Sequence, residues 1–191
     1  EKGLNKGGLL SHIAVFEVPS HPKLLFLTDA AINIKPTIDD KVNMIANMLE
    51  VTSSFGISKP LVAALCAVEK VNSKDMPETI EAAMLAKMCD RGQIKGCIVD
   101  GPLAFDNAVS EESAKIKKIG GPCAGRADVI LAHDLLSANI LYKSLIFMAK
   151  AKVAAIVGGA SAPIVLTSRA DSHEAKYLSI VLGLLSSVDR G

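Results

Sequence analysis

Short runs rich in β-branched residues alternate along this chain with longer stretches of helical period, and that alternation limits the fold more than any other feature. Val15–Val18, Leu24–Thr28, Leu61–Ala67, Cys97–Val99, Val129–Ala132, Val153–Val157 and Ile164–Thr167 read as strands. Between them, Val42, Ile45, Met48, Leu49 and Phe55 recur at the spacing of one helix face, behind Asp39 and Asp40 where a helix N-terminus favours acids. Asp75-Met-Pro-Glu78 has the form of a capping box opening a helix that carries Ile80, Met84 and Met88 and stops at Gly92. Two further helices are expected from Leu135 to about Lys150 and from about Ser172 to Val188. Strands separated by helices of this length require right-handed crossovers, so the expected class is α/β, a largely parallel sheet with flanking helices. Ile13–Thr28 is the exception: the link Glu17–Lys23 is too short for a crossover helix, which makes that pair a hairpin.

With 191 residues, half of them hydrophobic, the chain can build one domain, or one domain and part of a second. There is no tryptophan and little other aromatic content, so Val, Ile, Leu, Ala and Met must fill the core. Twenty-one basic residues against twenty acidic give no basic stripe, which argues against nucleic acid as a partner. The apolar stretches Leu141–Leu166 and Tyr177–Val188 are interrupted by Lys150 and Lys152 or too short to cross a bilayer, and no signal-peptide pattern opens the chain. Cys66, Cys89, Cys97 and Cys123 lack metal-ligand spacing and lie in or beside apolar runs. Such thiols are expected to be buried and reduced, in a cytoplasmic setting.

Three strands run into an acid, at Asp29, Asp100 and Asp134. Ligands of open α/β sheets bind beyond the carboxyl ends of the strands. The acids are therefore expected either to cap the following turns or to shape a polar cleft, and a cluster of them could hold Mg²⁺ for phosphoryl transfer. Gly120-Gly-Pro-Cys-Ala-Gly125 has the glycine spacing of a phosphate loop, but Arg126-Ala127 stands where Lys and Ser or Thr are required, so it reads as an ordinary loop. His12, His21, His133 and His173 lack metal-ligand spacing and read as surface or structural residues. The sharpest local signal is Thr167-Ser-Arg-Ala-Asp171, which joins a strand to the last helix. Free N–H groups at a helix start, the Arg169 fork and the Ser168 hydroxyl suit a phosphate. The plain alternative has Asp171 and Glu174 capping that helix with Arg169 solvated.

The order of four segments carries a resemblance. Thr28-Asp-Ala-Ala-Ile-Asn33 with Pro36, Asp100-Gly-Pro-Leu-Ala-Phe-Asp-Asn107, Asp134-Leu-Leu-Ser-Ala-Asn-Ile-Leu-Tyr-Lys143 and Ala162-Pro-Ile-Val-Leu-Thr-Ser-Arg169 are similar to the phosphate acetyltransferase and phosphate butyryltransferase family. The butyryl branch is the nearer, through Val68-Glu-Lys-Val71, Arg91-Gly-Gln-Ile-Lys-Gly96 and Leu166-Thr-Ser-Arg-Ala-Asp171.

That resemblance implies the exchange of a short acyl group, butyryl or similar, between coenzyme A and phosphate, with acyl-CoA, phosphate and acyl phosphate as partners. Coenzyme A would be a substrate, with no tightly bound cofactor or metal, and the assembly a homo-oligomer. Ser168 and Arg169 carry over as catalytic residues. The acetyl branch places an acid a few residues later as base, where this chain has Ala175, so Asp171 or Glu174 is the expected base. Thr28, Asp29, Asn33, Asp100, Asn107, Asn139, Tyr142, Lys143 and Thr167 are expected to bind substrate. Residues 1–157 would form the middle α/β domain, and 158–191 the final strand and helix of the family's first domain. The opening Glu1-Lys-Gly-Leu4 reads as the middle of a longer product, and the chain alone is expected to be inactive. The rival readings are phosphate acetyltransferase, an inactive piece of such an enzyme, and the Mg²⁺-dependent phosphoryl-transfer enzyme.

Overall fold

A computed structural model describes residues 8–188; the opening Glu1–Leu4 lies outside the described residues. The chain divides into two compact units, called by their order along the chain the inner unit, Ser58–His133, and the outer unit, the residues on either side of it in sequence. Neither division falls at Gly158; the last strand and helix group with the first fifty-seven residues.

In the outer unit, β1 (Ser11–Glu17) pairs antiparallel with β2 (Leu25–Thr28) on one side and with β6 (Lys152–Gly158) on the other, and β7 (Ile164–Val165) closes the order β2-β1-β6-β7. The expected hairpin is there, in the register Ala14 opposite Leu27. Ser11–Phe16 is buried without alternation, as in a central strand covered on both faces. Helix α1 (Ile38–Ser53) begins with a capping box, Thr37 Oγ1 accepting from Asp40 N at 3.2 Å while Asp40 Oδ2 accepts from Thr37 N at 2.9 Å. Helix α6 (His173–Val188) is fixed to β6 by Ser179, whose hydroxyl accepts from Ala155 N at 2.9 Å. Helix α5 (Leu135–Phe147) stops short of the expected Lys150, which turns to a positive φ and donates its Nζ to Phe147 O at 3.0 Å.

The inner unit holds the parallel pairs: β3 (Leu61–Leu65) lies between β4 (Ile98–Leu103) and β5 (Val129–Leu131). The α/β class is as the sequence implies, with the parallel pairing here and the antiparallel pairing in the outer unit. Helix α2 (Glu78–Asp90) ends ahead of Gly92, which has φ +73°. The capping box expected at Asp75–Glu78 does not form. Pro77 is already helical, with φ −60° and ψ −24°, whereas a capping residue needs extended backbone; Asp75 N instead donates to Asn72 Oδ1 at 3.1 Å. Two short helices, α3 (Phe105–Val109) and α4 (Glu111–Lys117), fill the stretch after β4 that the apolar pattern leaves undefined.

Candidate active site

Asp29 folds the loop after β2 around itself. Its Oδ1 accepts from Ala31 N at 2.8 Å and Ile32 N at 2.9 Å, and its Oδ2 from Asn33 N at 3.2 Å and Asn33 Nδ2 at 2.6 Å. Asn33 Nδ2 also donates to Leu10 O at 2.8 Å, tying the loop to the start of β1. From α5, Asn139 Nδ2 donates to Ala30 O at 3.0 Å. Of the residues expected to bind substrate, Asp29 and the Nδ2 groups of Asn33 and Asn139 build this loop. Thr28 is fully buried at the end of β2, and its hydroxyl has no partner among the described residues.

The loop forms one wall of a cavity of about 320 Å³, within the usual range for a small-ligand site. His12, Asn139, Tyr142, Lys143, Thr167 and Ser168 line it with the Ala30–Ala31 backbone. Strand β7 ends at Val165, two residues sooner than expected, so Leu166, Thr167 and Ser168 turn out of the sheet and into the lining. Asp171 closes the turn that follows: its Oδ2 accepts from Ser168 N at 2.6 Å and from the Tyr142 hydroxyl at 3.3 Å. Burial together with the Asp171 carboxylate pushes the Tyr142 phenol well above its ordinary value, so it stays protonated and donates. Lys143 Nζ lies 3.1 Å from Ser168 Oγ and 5.2 Å over the Tyr142 ring. Arg169 is exposed and has no protein partner among the described residues.

The start of α6 is capped by neither expected acid. Ser172 Oγ accepts from Ala175 N at 3.1 Å, and Glu174 faces outward to pair with Lys152 at 3.4 Å. Ala175 is buried.

Asp100 and Asn107 belong to the inner unit. Asp100 does not end a strand, because β4 runs through it to Leu103; its Oδ2 accepts from Cys123 N at 3.2 Å. Gly121, at φ +115°, passes so close that a Cβ there would fall 2.5 Å from Asp100 Oδ2, which explains a glycine in this loop without any phosphate. Asn107 is fully buried, donating Nδ2 to Glu69, a carboxylate that also pairs with Lys117. Asp134 caps α5, accepting from Ser137 N at 2.8 Å. Each of the three acids thus holds its own local structure, and among the described residues no three His, Cys, Asp or Glu side chains stand together as a metal site. Cys97 and Cys123 are buried, and burial pushes the Cys97 thiol up to about 12, far from a reactive thiolate.

His12, read from the sequence as a surface or structural residue, is buried and lines the cavity. Ser11 and His12 are polar residues heading an otherwise apolar strand, and that interruption was the available signal. Its imidazole is 3% exposed and meets the edge of the Tyr142 ring, centroids 5.7 Å apart.

The family model described as "Phosphate acetyl/butaryl transferase" matches residues 1–183. The phosphate butyryltransferase of Clostridium acetobutylicum is 51% identical over 185 residues, covering 97% of this chain and 61% of that protein. The phosphate acetyltransferase of Thermotoga maritima is also 51% identical, over 180 residues, covering 94% of this chain and 61% of that protein. The chain therefore spans about three fifths of the length of these curated relatives. Among solved structures, a branched-chain phosphotransacylase from Enterococcus faecalis V583 superposes with a TM-score of 0.87 at 36% identity, covering 96% of this chain and 65% of that one.

Proposed function

This chain belongs to the phosphate acetyl/butyryl transferase family, and from that premise we propose that its protein exchanges a short acyl group between coenzyme A and phosphate. The observation that carries the reading is the Ser168 hydroxyl on the wall of a small cavity, gripped by Lys143 at 3.1 Å and followed directly by the exposed Arg169.

The chemistry demands such a group. The thiolate of coenzyme A attacks the acyl carbonyl carbon, the carbonyl oxygen gains negative charge, and phosphate departs with the electrons of its bond to carbon. A preorganised donor to that developing charge is worth roughly 3 kcal/mol. Ser168 is such a donor. Its oxygen accepts from Lys143 and from Ala170 N at 3.4 Å, so both lone pairs are engaged and the O–H remains to donate. Arg169 supplies two parallel N–H groups matched to phosphate oxygens. Tyr142, bonded to Asp171, stiffens the turn that presents both residues.

The acyl group we propose is butyryl or a similar short chain, acetyl being the alternative; relatives of both names stand at 51% identity. Acyl-CoA, acyl phosphate and phosphate are the partners, in a cytoplasmic homo-oligomer, with coenzyme A as a substrate and no tightly bound cofactor. We assign the last strand and helix to a domain that the longer relatives complete. Nothing found favours the Mg²⁺-dependent phosphoryl-transfer reading. Assay of the full-length protein with acetyl-, butyryl- and branched acyl-CoA, following phosphate-dependent thiol release, tests the proposal. Absence of thiol release with every acyl-CoA would sink it.

A further inference from the structure

His12 sits on β1 opposite Val157 of β6, inside a run in which every residue from Ser11 to Phe16 is buried. Hydrophobic packing alone would place an apolar residue there. Instead the position carries an imidazole whose Nδ1 has no hydrogen-bond partner among the described residues, and the same side chain lines the cavity shared with Lys143 and Ser168. An unpaired buried polar atom costs stability and calls for a reason. Both acids expected as base have other contacts. Asp171 Oδ2 is committed to Ser168 N and the Tyr142 hydroxyl, and Glu174 pairs with Lys152 away from the lining.

We propose that His12 is the proton acceptor of the acyl-transfer site, an inference that rests on the acyl-transfer reading of this cavity. The thiol of coenzyme A gives its proton to the imidazole as its sulfur attacks the carbonyl carbon of the acyl phosphate. The C–S bond forms, the C–O bond to phosphorus-bound oxygen breaks, and its electron pair leaves with phosphate. The imidazolium then releases its proton to solvent. In the reverse direction the imidazolium protonates the departing thiolate.

The surroundings suit both states of the ring. Burial, with Lys143 adding to it, drives the His12 pKa below its ordinary 6.5, so the ring is neutral and able to accept at neutral pH. Asp29 from the loop after β2 and Asp171 from the turn before α6 oppose that shift, and they stabilise the imidazolium that forms during the step. Tyr142, the remaining titratable neighbour, is held protonated and presents its ring rather than a charge.

The test uses the full-length protein, with His12→Gln and His12→Phe; the phenyl ring preserves the packing against Tyr142. Thiolysis of butyryl phosphate and of acetyl phosphate by coenzyme A is followed from about pH 5 to about pH 9. The wild type should lose kcat/KM on acidification with a midpoint below 6.5. Both variants should lose that acid limb and roughly 10²–10⁴-fold in kcat, the usual worth of a general base, with thermal unfolding of the Phe variant close to wild type. A purely structural histidine would leave the limb in place. Variants that fold, keep the limb and retain kcat within about threefold overturn the assignment. An NMR titration of His12 in the wild type guards against variants that do not fold: its midpoint must coincide with the kinetic limb, and a mismatch overturns the proposal. A wild type that moves no acyl group with either substrate sinks the reading of the cavity itself, and this role with it.

Discussion

Lys143 Nζ donates to Ser168 Oγ across 3.1 Å, linking the middle of α5 to the turn that precedes α6. The two residues lie 25 positions apart in the chain, and their contact fixes the serine's role: its oxygen is occupied as an acceptor, so it donates. Ser168→Ala should lower kcat by ~10² or more with folding intact. Lys143→Met should produce part of the same loss. The double variant should be barely worse than Ser168→Ala, since the two act as one unit. Steady-state kinetics of the three proteins check this; losses that multiply would show independent roles.

Arg169 offers a planar fork and has nothing in the described protein to spend it on. Arg169→Lys keeps the charge but loses the paired geometry. The phosphate-side kcat/KM is expected to fall by about tenfold or more, the worth of one strong charged hydrogen bond. Saturation curves in phosphate measure it, and an unchanged constant would put Arg169 outside the site.

Glu174 pairs with Lys152 on the outside of α6, with both side chains more than half exposed. Exposed pairs contribute little, about 1 kcal/mol at most. Glu174→Gln should therefore leave turnover within about twofold and stability nearly unchanged. A large drop in kcat would restore Glu174 as a candidate base.

Asp29, Asp100 and Asp134 each hold backbone N–H groups of their own neighbourhood. Thiolysis of acyl phosphate should accordingly survive exhaustive chelation. Activity lost with chelator and regained with Mg²⁺ would instead favour metal-assisted phosphoryl transfer.

Along α6, Tyr177, Ile180, Val181, Leu184 and Leu185 are exposed at helical spacing and form one apolar stripe. In the 191-residue chain by itself this stripe is expected to be covered by a second copy, and turnover is expected to be negligible. Light scattering on the eluted chain should give more than the monomer mass, and Leu184→Glu should shift it toward monomer. A chain that runs as an active monomer would contradict both halves.

The local code of this fold was plain to read. The β1–β2 hairpin followed from a seven-residue link, the start of α1 from Asp39 and Asp40, and the end of α2 from Gly92, because turns and helix termini are decided by neighbouring residues. The Asp75–Glu78 misreading shows where that logic stops. The residues of a capping box were present, but Pro77 had already adopted helical backbone, so the side chains had no terminus to cap.

The sequence by itself determined the α/β class and the alternation of elements, and it singled out the Ser168-Arg169 segment as a candidate, since periodicity and short motifs are written in consecutive residues. Only the tertiary structure decided what those residues face. It put Lys143 against Ser168, turned Asp171 into the clasp of a turn, sent Asp100 into the interior of β4, and buried His12 beside Tyr142 on the cavity wall. The meetings of Lys143 with Ser168, of Asp171 with Tyr142 and of His12 with Tyr142 each join groups far apart in the chain, and they are set by strand register and helix packing, which no local pattern records.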